Sequence, residues 1–250
     1  MHFKIRPEEL VLNNDLLMRR IPFKTVANFR SLGGYAGKDG KVTKHGVLYR
    51  CAYPNQINEE DKQRIKRLGI KTSLDLRGGS EVWEGEYANS FVGDPDVEVV
   101  NIPLMDDLDP VRLNEIDTEP DVLFPEMYKM VFYDCGHYVR DAIIAVATAL
   151  KKGAVVFNCA AGKDRTGLIA MLILMLCGVE DEDIIADYQV SDTYIFDLWP
   201  ELIDEPHAKA KYMIAILAYI RKTYGDVYNC LMELGVPQED MDYIVYKLLE

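Results

Sequence analysis

Cys159 is followed six positions later by Arg165, and between them lie Ala160, Ala161, Gly162, Lys163 and Asp164. The small residues at 160–162 let backbone amides close around a tetrahedral oxyanion, while an arginine can hold two of its oxygens at once. A thiol at the base of such a loop is placed to attack phosphorus. Free cysteine has a pKa of about 8.5, and a helix N-terminus beside a cation lowers it substantially, so the loop favours the thiolate. The chemistry predicted is in-line attack by Cys159 to give a cysteinyl-phosphate, which water then hydrolyses. Amides and Arg165 stabilise the equatorial charge in both steps.

The leaving oxygen needs a proton, and two carboxyls can supply it: Asp164 within the loop, and Asp106 in an acidic loop further upstream. Thr166 can bond the sulfur or cap the helix that follows. Lys163 adds charge and favours substrates with more than one anionic group. Asn158, Ala160, Ala161, Gly162, Lys163 and Gly167 make up the expected phosphate-binding set. A nucleotide-binding P-loop is excluded, since Gly162-Lys163 is followed by Asp instead of Ser or Thr and Gly153 lies too far upstream.

The elements that must hold this loop are a short buried strand at 154–157 and a helix at 167–177 that is apolar on most faces. Strand, tight loop and buried helix bring N–H groups and a helix dipole to one point. A second strand at 70–77 ends in Asp75 and Arg77, and the carboxyl ends of strands are where α/β sheets bind ligands; a salt bridge or cap is the plainer reading of Asp75. A third strand at 97–102 is closed by Pro103, and the 103–123 interval after it, acidic and without strong periodicity, is expected to be a lid or acid loop.

Elsewhere, a turn at 37–40 leads into a strand at 42–49, and a helix at 59–68 is stopped by Gly69. The 124–150 segment reads as helix with a break near 134–136, and from 179 the chain is helical at 180–192, 208–222, 227–234 and 237–249, with a connection around Trp199-Pro200. The paired glycines after Asn28-Phe29-Arg30-Ser31-Leu32 suggest a tight loop, with Arg30 either at the surface or functional. Residues 1–24 are expected to form an N-terminal arm.

With 49% apolar and 28% charged residues the chain can bury a core, and its 250 residues suit one α/β domain over 1–250. A formal charge of −13 repels nucleic acid and anionic bilayers, so an anionic substrate needs a local positive pocket. No signal peptide is evident, and the longest apolar run, 168–179, is shorter than the roughly 20 residues that span a bilayer. A soluble cytoplasmic protein without stable membrane insertion is expected. The five cysteines are odd in number and scattered, which fits a reducing compartment. His2, His45, His137 and His207 show no metal-binding spacing, so neither metal nor other cofactor is expected.

Asn158-Cys159-Ala160-Ala161-Gly162-Lys163-Asp164-Arg165-Thr166-Gly167 resembles the His-Cys-x-x-Gly-Lys-Asp-Arg-Thr-Gly signature of tyrosine-phosphatase-like proteins, a branch of the cysteine-dependent phosphatases. Asn28-Phe29-Arg30-Ser31-Leu32-Gly33-Gly34 is similar to that family's opening motif, Leu48-Tyr49-Arg50-Cys51 to its Leu-Tyr-Arg-Ser segment, and Asp75-Leu76-Arg77 to its strand end. Asp187-Tyr188 and Ser191 fall where the family has a Tyr and a Ser. The resemblance implies a mixed, mostly parallel sheet of four to five strands flanked by helices, with a helical C-terminal third. It implies Cys159 as nucleophile, Arg165 as phosphate clamp, and Asp164 ahead of Asp106 and then Asp75 as general acid. The implied substrates are phosphotyrosine proteins, with phosphoserine/threonine or phosphoinositides beside them. Asn158 replaces the family's His and brings no charge, which opens a second reading as a phosphate-binding module without turnover. A sulfur- or arsenate-transferring enzyme needs a resolving thiol, and neither Cys51 nor Cys177 has a spacing that suggests one.

Overall fold

The computed structural model describes residues 18–79, 82, 88–196 and 207–249. Five strands form one sheet: β1 (Arg30–Ser31), β2 (Leu48–Ala52), β3 (Ile70–Asp75), β4 (Glu98–Asn101) and β5 (Ala154–Cys159), in the order β1-β2-β5-β3-β4. Only β1 runs antiparallel; the other pairings are parallel. The helices are α1 (Glu59–Arg67), α2 (Pro110–Glu115), α3 (Pro120–Tyr133), α4 (Gly136–Ala149), α5 (Asp164–Leu176), α6 (Asp181–Phe196), α7 (Ala210–Tyr224), α8 (Val227–Glu233) and α9 (Gln238–Leu249). The architecture is the expected one: a mostly parallel five-stranded sheet, flanking helices and a helical C-terminal part.

The central strand is β5, every residue of which is buried. A strand covered on both faces reads as an unbroken apolar run, and its alternation then assigns each residue to a side. Val155, Phe157 and Cys159 face the large core built with α3 to α9, whereas Ala154 and Val156 face a smaller core made with Ile65 of α1 and the 21–29 segment. Cys159 is therefore the last residue of the most enclosed strand, on the helical side. Its neighbours in register are Ala52 of β2 and, one step earlier, Asp75 of β3 opposite Asn158. The carboxyl ends of three parallel strands thus converge at one edge. α5, apolar all round, runs back from that edge through the large core.

Several boundaries differ from the sequence reading. The 103–123 interval contains α2 and the first turn of α3, each with a proline at its start; α2 buries no residue and so carries no apolar stripe to read. The turn at 37–40 does close a hairpin, but only as a single bridge between Ala36 and Val42; the strand proper starts at Leu48 and continues to Ala52. The expected break near 134–136 separates α3 from α4. Of the expected arm, residues 18–24 are described and Arg20 bridges to Arg30; residues 1–17 and the Trp199-Pro200 connection lie outside the described residues.

Candidate active site

Between the end of β5 and the start of α5 lie only residues 160–163, and every carbonyl of that loop is held from behind. Tyr53 N–H donates to Ala160 O at 3.1 Å. The Asn28 side-chain amide donates to Ala161 O at 2.9 Å and Gly162 O at 3.0 Å. Arg50 Nη2 donates to Gly162 O at 2.8 Å and Lys163 O at 3.1 Å. In a trans peptide the N–H points opposite to the preceding carbonyl. The amides of Ala161, Gly162, Lys163 and Asp164 therefore face away from these donors, and none of the four has an acceptor among the described residues. They form a concave set of donors at an uncapped helix N-terminus, since Lys163 makes no side-chain cap.

Gly162 is required here. It has φ +66°, and a Cβ would fall 2.2 Å from the Cys51 carbonyl oxygen, so the loop can lie this close to the end of β2 only without a side chain. Asn28 also adopts a left-handed conformation, φ 58°, which asparagine tolerates better than most residues. Thr166 does not cap α5: it lies inside the helix, buried, and its hydroxyl has no partner among the described residues. Arg165 is half-buried, and its Nη1 donates to Leu76 O at 3.3 Å, just past the end of β3.

Behind the loop stands a charge cluster. Arg30 Nε donates to Asp187 Oδ1 at 2.9 Å, Arg50 Nη1 to Asp187 Oδ2, and Tyr35 Oη to Asp187 Oδ1 at 2.9 Å. Arg30 also reaches Ser191 Oγ at 3.0 Å and the side-chain oxygen of Asn28. All three charged side chains are at most 2% exposed, and two guanidiniums against one carboxylate leave a net charge of +1. Burial alone raises the Asp187 carboxyl, but Arg30 and Arg50 outweigh it and hold the group well below the usual carboxylate range. Burial and the adjacent Arg30 bring Arg50 down to about 10, so it remains a cation at neutral pH within electrostatic reach of Cys159. Arg30 is thus fully buried, which overturns its reading as a surface residue.

On the other flank, Arg77 holds Asp75 through two bonds, Nε to Oδ1 at 3.0 Å and Nη2 to Oδ2 at 2.8 Å. Asn89 adds a third at 3.0 Å. Asp75 is completely buried in this pairing, which favours the salt-bridge reading over an acid. Asn158 accepts from Ser73 Oγ at 3.3 Å and is wholly buried.

Asp164 opens α5, with its side chain 25% exposed. Tyr128 of α3 donates to its Oδ1, and Tyr128 and Tyr188 hydroxyls are 2.8 Å apart. Lys163 Nζ lies 3.8 Å from the same oxygen and 5.5 Å from the Phe124 ring. Asp106 is exposed in the turn after Pro103, and its charge acts on Cys135 and Tyr138 near the start of α4. Burial pushes the other thiols up, Cys135 to about 11 and Cys177 and Cys230 to about 12, while Cys51 rises further through burial and Asp75. Among the described residues no cluster of three or more His, Cys, Asp or Glu could hold a metal.

Sequence reasoning had the contiguous loop and the motifs that hold Asn28, Arg30, Arg50 and Asp187, but not the roles of these residues in shaping the loop, and it missed Tyr128 altogether. An arginine in the middle of the apolar strand Leu48–Ala52 was the available signal.

The chain is 32% identical to H16_A0669 of Cupriavidus necator, a tyrosine-protein phosphatase by name, over 69% of this chain and 63% of that one, so it spans less than two thirds of that relative's length. It is 26% identical to the tyrosine-protein phosphatase of Nostoc commune over 81% of this chain and 74% of that one. It is 24% identical to the triple specificity protein phosphatase PtpB of Mycobacterium tuberculosis over 84% and 92%. The family model described as "Tyrosine phosphatase family" matches residues 21–250, and with that match spanning the sheet, the loop and the buried cluster behind it, the chain belongs to the tyrosine phosphatase family.

Proposed function

We propose that the chain hydrolyses phosphomonoesters, phosphotyrosine first among them, by covalent catalysis at Cys159. The thiolate attacks phosphorus, the S–P bond forms and the bond to the leaving oxygen breaks, with Asp164 giving that oxygen its proton. Water then attacks the phosphocysteine, the S–P bond breaks, and Asp164 takes the proton released. Inorganic phosphate leaves and the thiolate is restored. The four loop amides of Ala161, Gly162, Lys163 and Asp164, with Arg165, bind the three equatorial oxygens.

The observation that carries this reading is the outward fixing of every carbonyl from Ala160 to Lys163, which turns the amides into an anion site beside a thiol. Asp164 is preferred to Asp106 because it directly follows the loop as the first residue of α5, whereas Asp106 stands exposed near Cys135. The Mycobacterium relative is named a triple specificity phosphatase, and Lys163 adds a second cation to the loop; on that support the proposal extends to phosphoserine/threonine and phosphoinositide substrates. No helix among the described residues is long and apolar enough to cross a membrane. Five free, buried cysteines suit a reducing, cytoplasmic setting.

The test is phosphate release from an aryl phosphate in the presence of a chelator. Cys159→Ser is expected to abolish it while leaving the fold intact; activity that persists in this variant would sink the proposal.

A further inference from the structure

Two tyrosines from helices distant in sequence meet at Asp164, and the reaction as written does not use them. Tyr128 of α3 is 0% exposed and Tyr188 of α6 is 1% exposed. Their rings meet edge to face at 6.4 Å, and Phe124 stands against Tyr128 at 6.2 Å. Tyr188 also covers the first turn of α5, since a Cβ on Gly167 would come within 3.1 Å of its ring. Phenylalanine would fill the Tyr128 site equally well, so the hydroxyl itself calls for a reason.

The direction of the hydrogen bonds follows from counting protons. Asp164 has none to give when ionised, so Tyr128 donates its single proton to Oδ1. The 2.8 Å contact between the hydroxyls must then be donated by Tyr188. Burial first, and the Asp164 charge second, push both phenols well above their ordinary value, so neither loses its proton in the working range of the enzyme. The chain Tyr188 to Tyr128 to Asp164 therefore keeps one polarity throughout. Lys163 Nζ is 3.8 Å from the same Oδ1. One carboxyl oxygen is committed to the protein, and the other is left for the reacting atoms.

We infer that Tyr128, backed by Tyr188, is a positioning residue that ties down Oδ1 of Asp164 so that Oδ2 alone exchanges the proton with the leaving oxygen and then with water. The inference rests on Asp164 being the acid. In the first step Oδ2–H is the donor and Oδ1 is the carbonyl oxygen that accepts from Tyr128. In the second step Oδ2 takes the proton from water, and the Tyr128 bond is unchanged. No proton leaves either tyrosine, so the chain orients the acid without taking part in the transfer.

General acid catalysis contributes about 10²- to 10⁴-fold, and its weight grows as the leaving group becomes more basic. The experiment compares phenyl phosphate with para-nitrophenyl phosphate for Asp164→Asn, Tyr128→Phe and Tyr188→Phe. Asp164→Asn is expected to lose about a hundredfold or more in kcat/KM on phenyl phosphate and much less on the nitro ester. Tyr128→Phe is expected to lose roughly tenfold on phenyl phosphate and stay within about twofold on the nitro ester, as a part of the acid's full contribution. Tyr188→Phe should give the same pattern more weakly, and it serves if Tyr128→Phe fails to fold. Equal losses on both esters, in either folded variant, would reduce the tyrosines to packing and overturn the inference. Full activity of Asp164→Asn on phenyl phosphate would instead remove Asp164 as the acid, a separate failure.

Discussion

The loop is flanked by two buried carboxylate–guanidinium clusters that use the same residue types to different ends. On the β2 side, Asp187 is shared by Arg30 and Arg50, and Arg50 reaches on to the loop carbonyls of Gly162 and Lys163. On the β3 side, Asp75 is matched by one guanidinium, that of Arg77, among the described residues. Its backbone oxygen and that of Arg77 are gathered by Asn101 at 2.9 and 2.8 Å, so the pair braces the ends of β3 and β4. Stoichiometry separates them. An uneven cluster stores net charge, and in a poorly solvated interior that charge acts on whatever it touches; an even pair supplies geometry only. With Asn158 uncharged, Arg50 is a buried cation within electrostatic reach of Cys159.

Breaking the uneven cluster should have the largest effect. Asp187→Asn leaves two buried guanidiniums uncompensated, a change expected to cost on the order of 3–5 kcal/mol in urea unfolding and to abolish phosphate release. The pH dependence has a definite sign. Because the folded carboxyl is held low, its contribution is complete above the unfolded value of about 3.9 and is lost as pH falls below it toward the folded value. The variant should therefore lack the wild-type loss of stability below about pH 4 that this group produces.

Breaking the even pair sharpens the contrast. Asp75→Asn is expected to lose about 3 kcal/mol of stability, yet the folded fraction should keep kcat/KM within about threefold because no loop carbonyl loses a donor. Near-complete inactivity in a folded Asp75→Asn protein would show that the β3 side also sets the chemistry. The smallest cost in stability belongs to the residue linking the charged cluster to the loop. Asn28→Ala removes two donors to loop carbonyls and places alanine at positive φ, which should cost roughly 1–3 kcal/mol and about tenfold in activity. A variant with wild-type turnover would mean that Arg50 and Tyr53 hold the carbonyls unaided.

What the sequence showed of this site was what lies contiguous in it. Cys159 to Arg165 runs without a break from the end of β5 through the 160–163 loop into α5, so its residues and setting could be read together. The roles of Arg30 and Arg50 could not, because a charge in a short segment looks solvated until the chain brings Asp187 to them from 157 and 137 residues away. Tyr128 was hidden for the opposite reason: in α3 it is one more large residue among buried ones, and only the fold aims its hydroxyl at Asp164. Thr166 suggested a helix cap because helix starts usually need one. This start has no side-chain cap, because Lys163 sits at the cap position and Thr166 lies inside the helix.

The outward-held carbonyls have a consequence for how an anion is received. A loop that had to turn its peptides over on binding would spend part of the affinity on ordering itself and would admit its ligand slowly. Here Tyr53, Asn28 and Arg50 set each peptide plane through the protein's own hydrogen bonds. A dianion bound as proposed would exchange its water shell for dipoles that the protein itself holds in place.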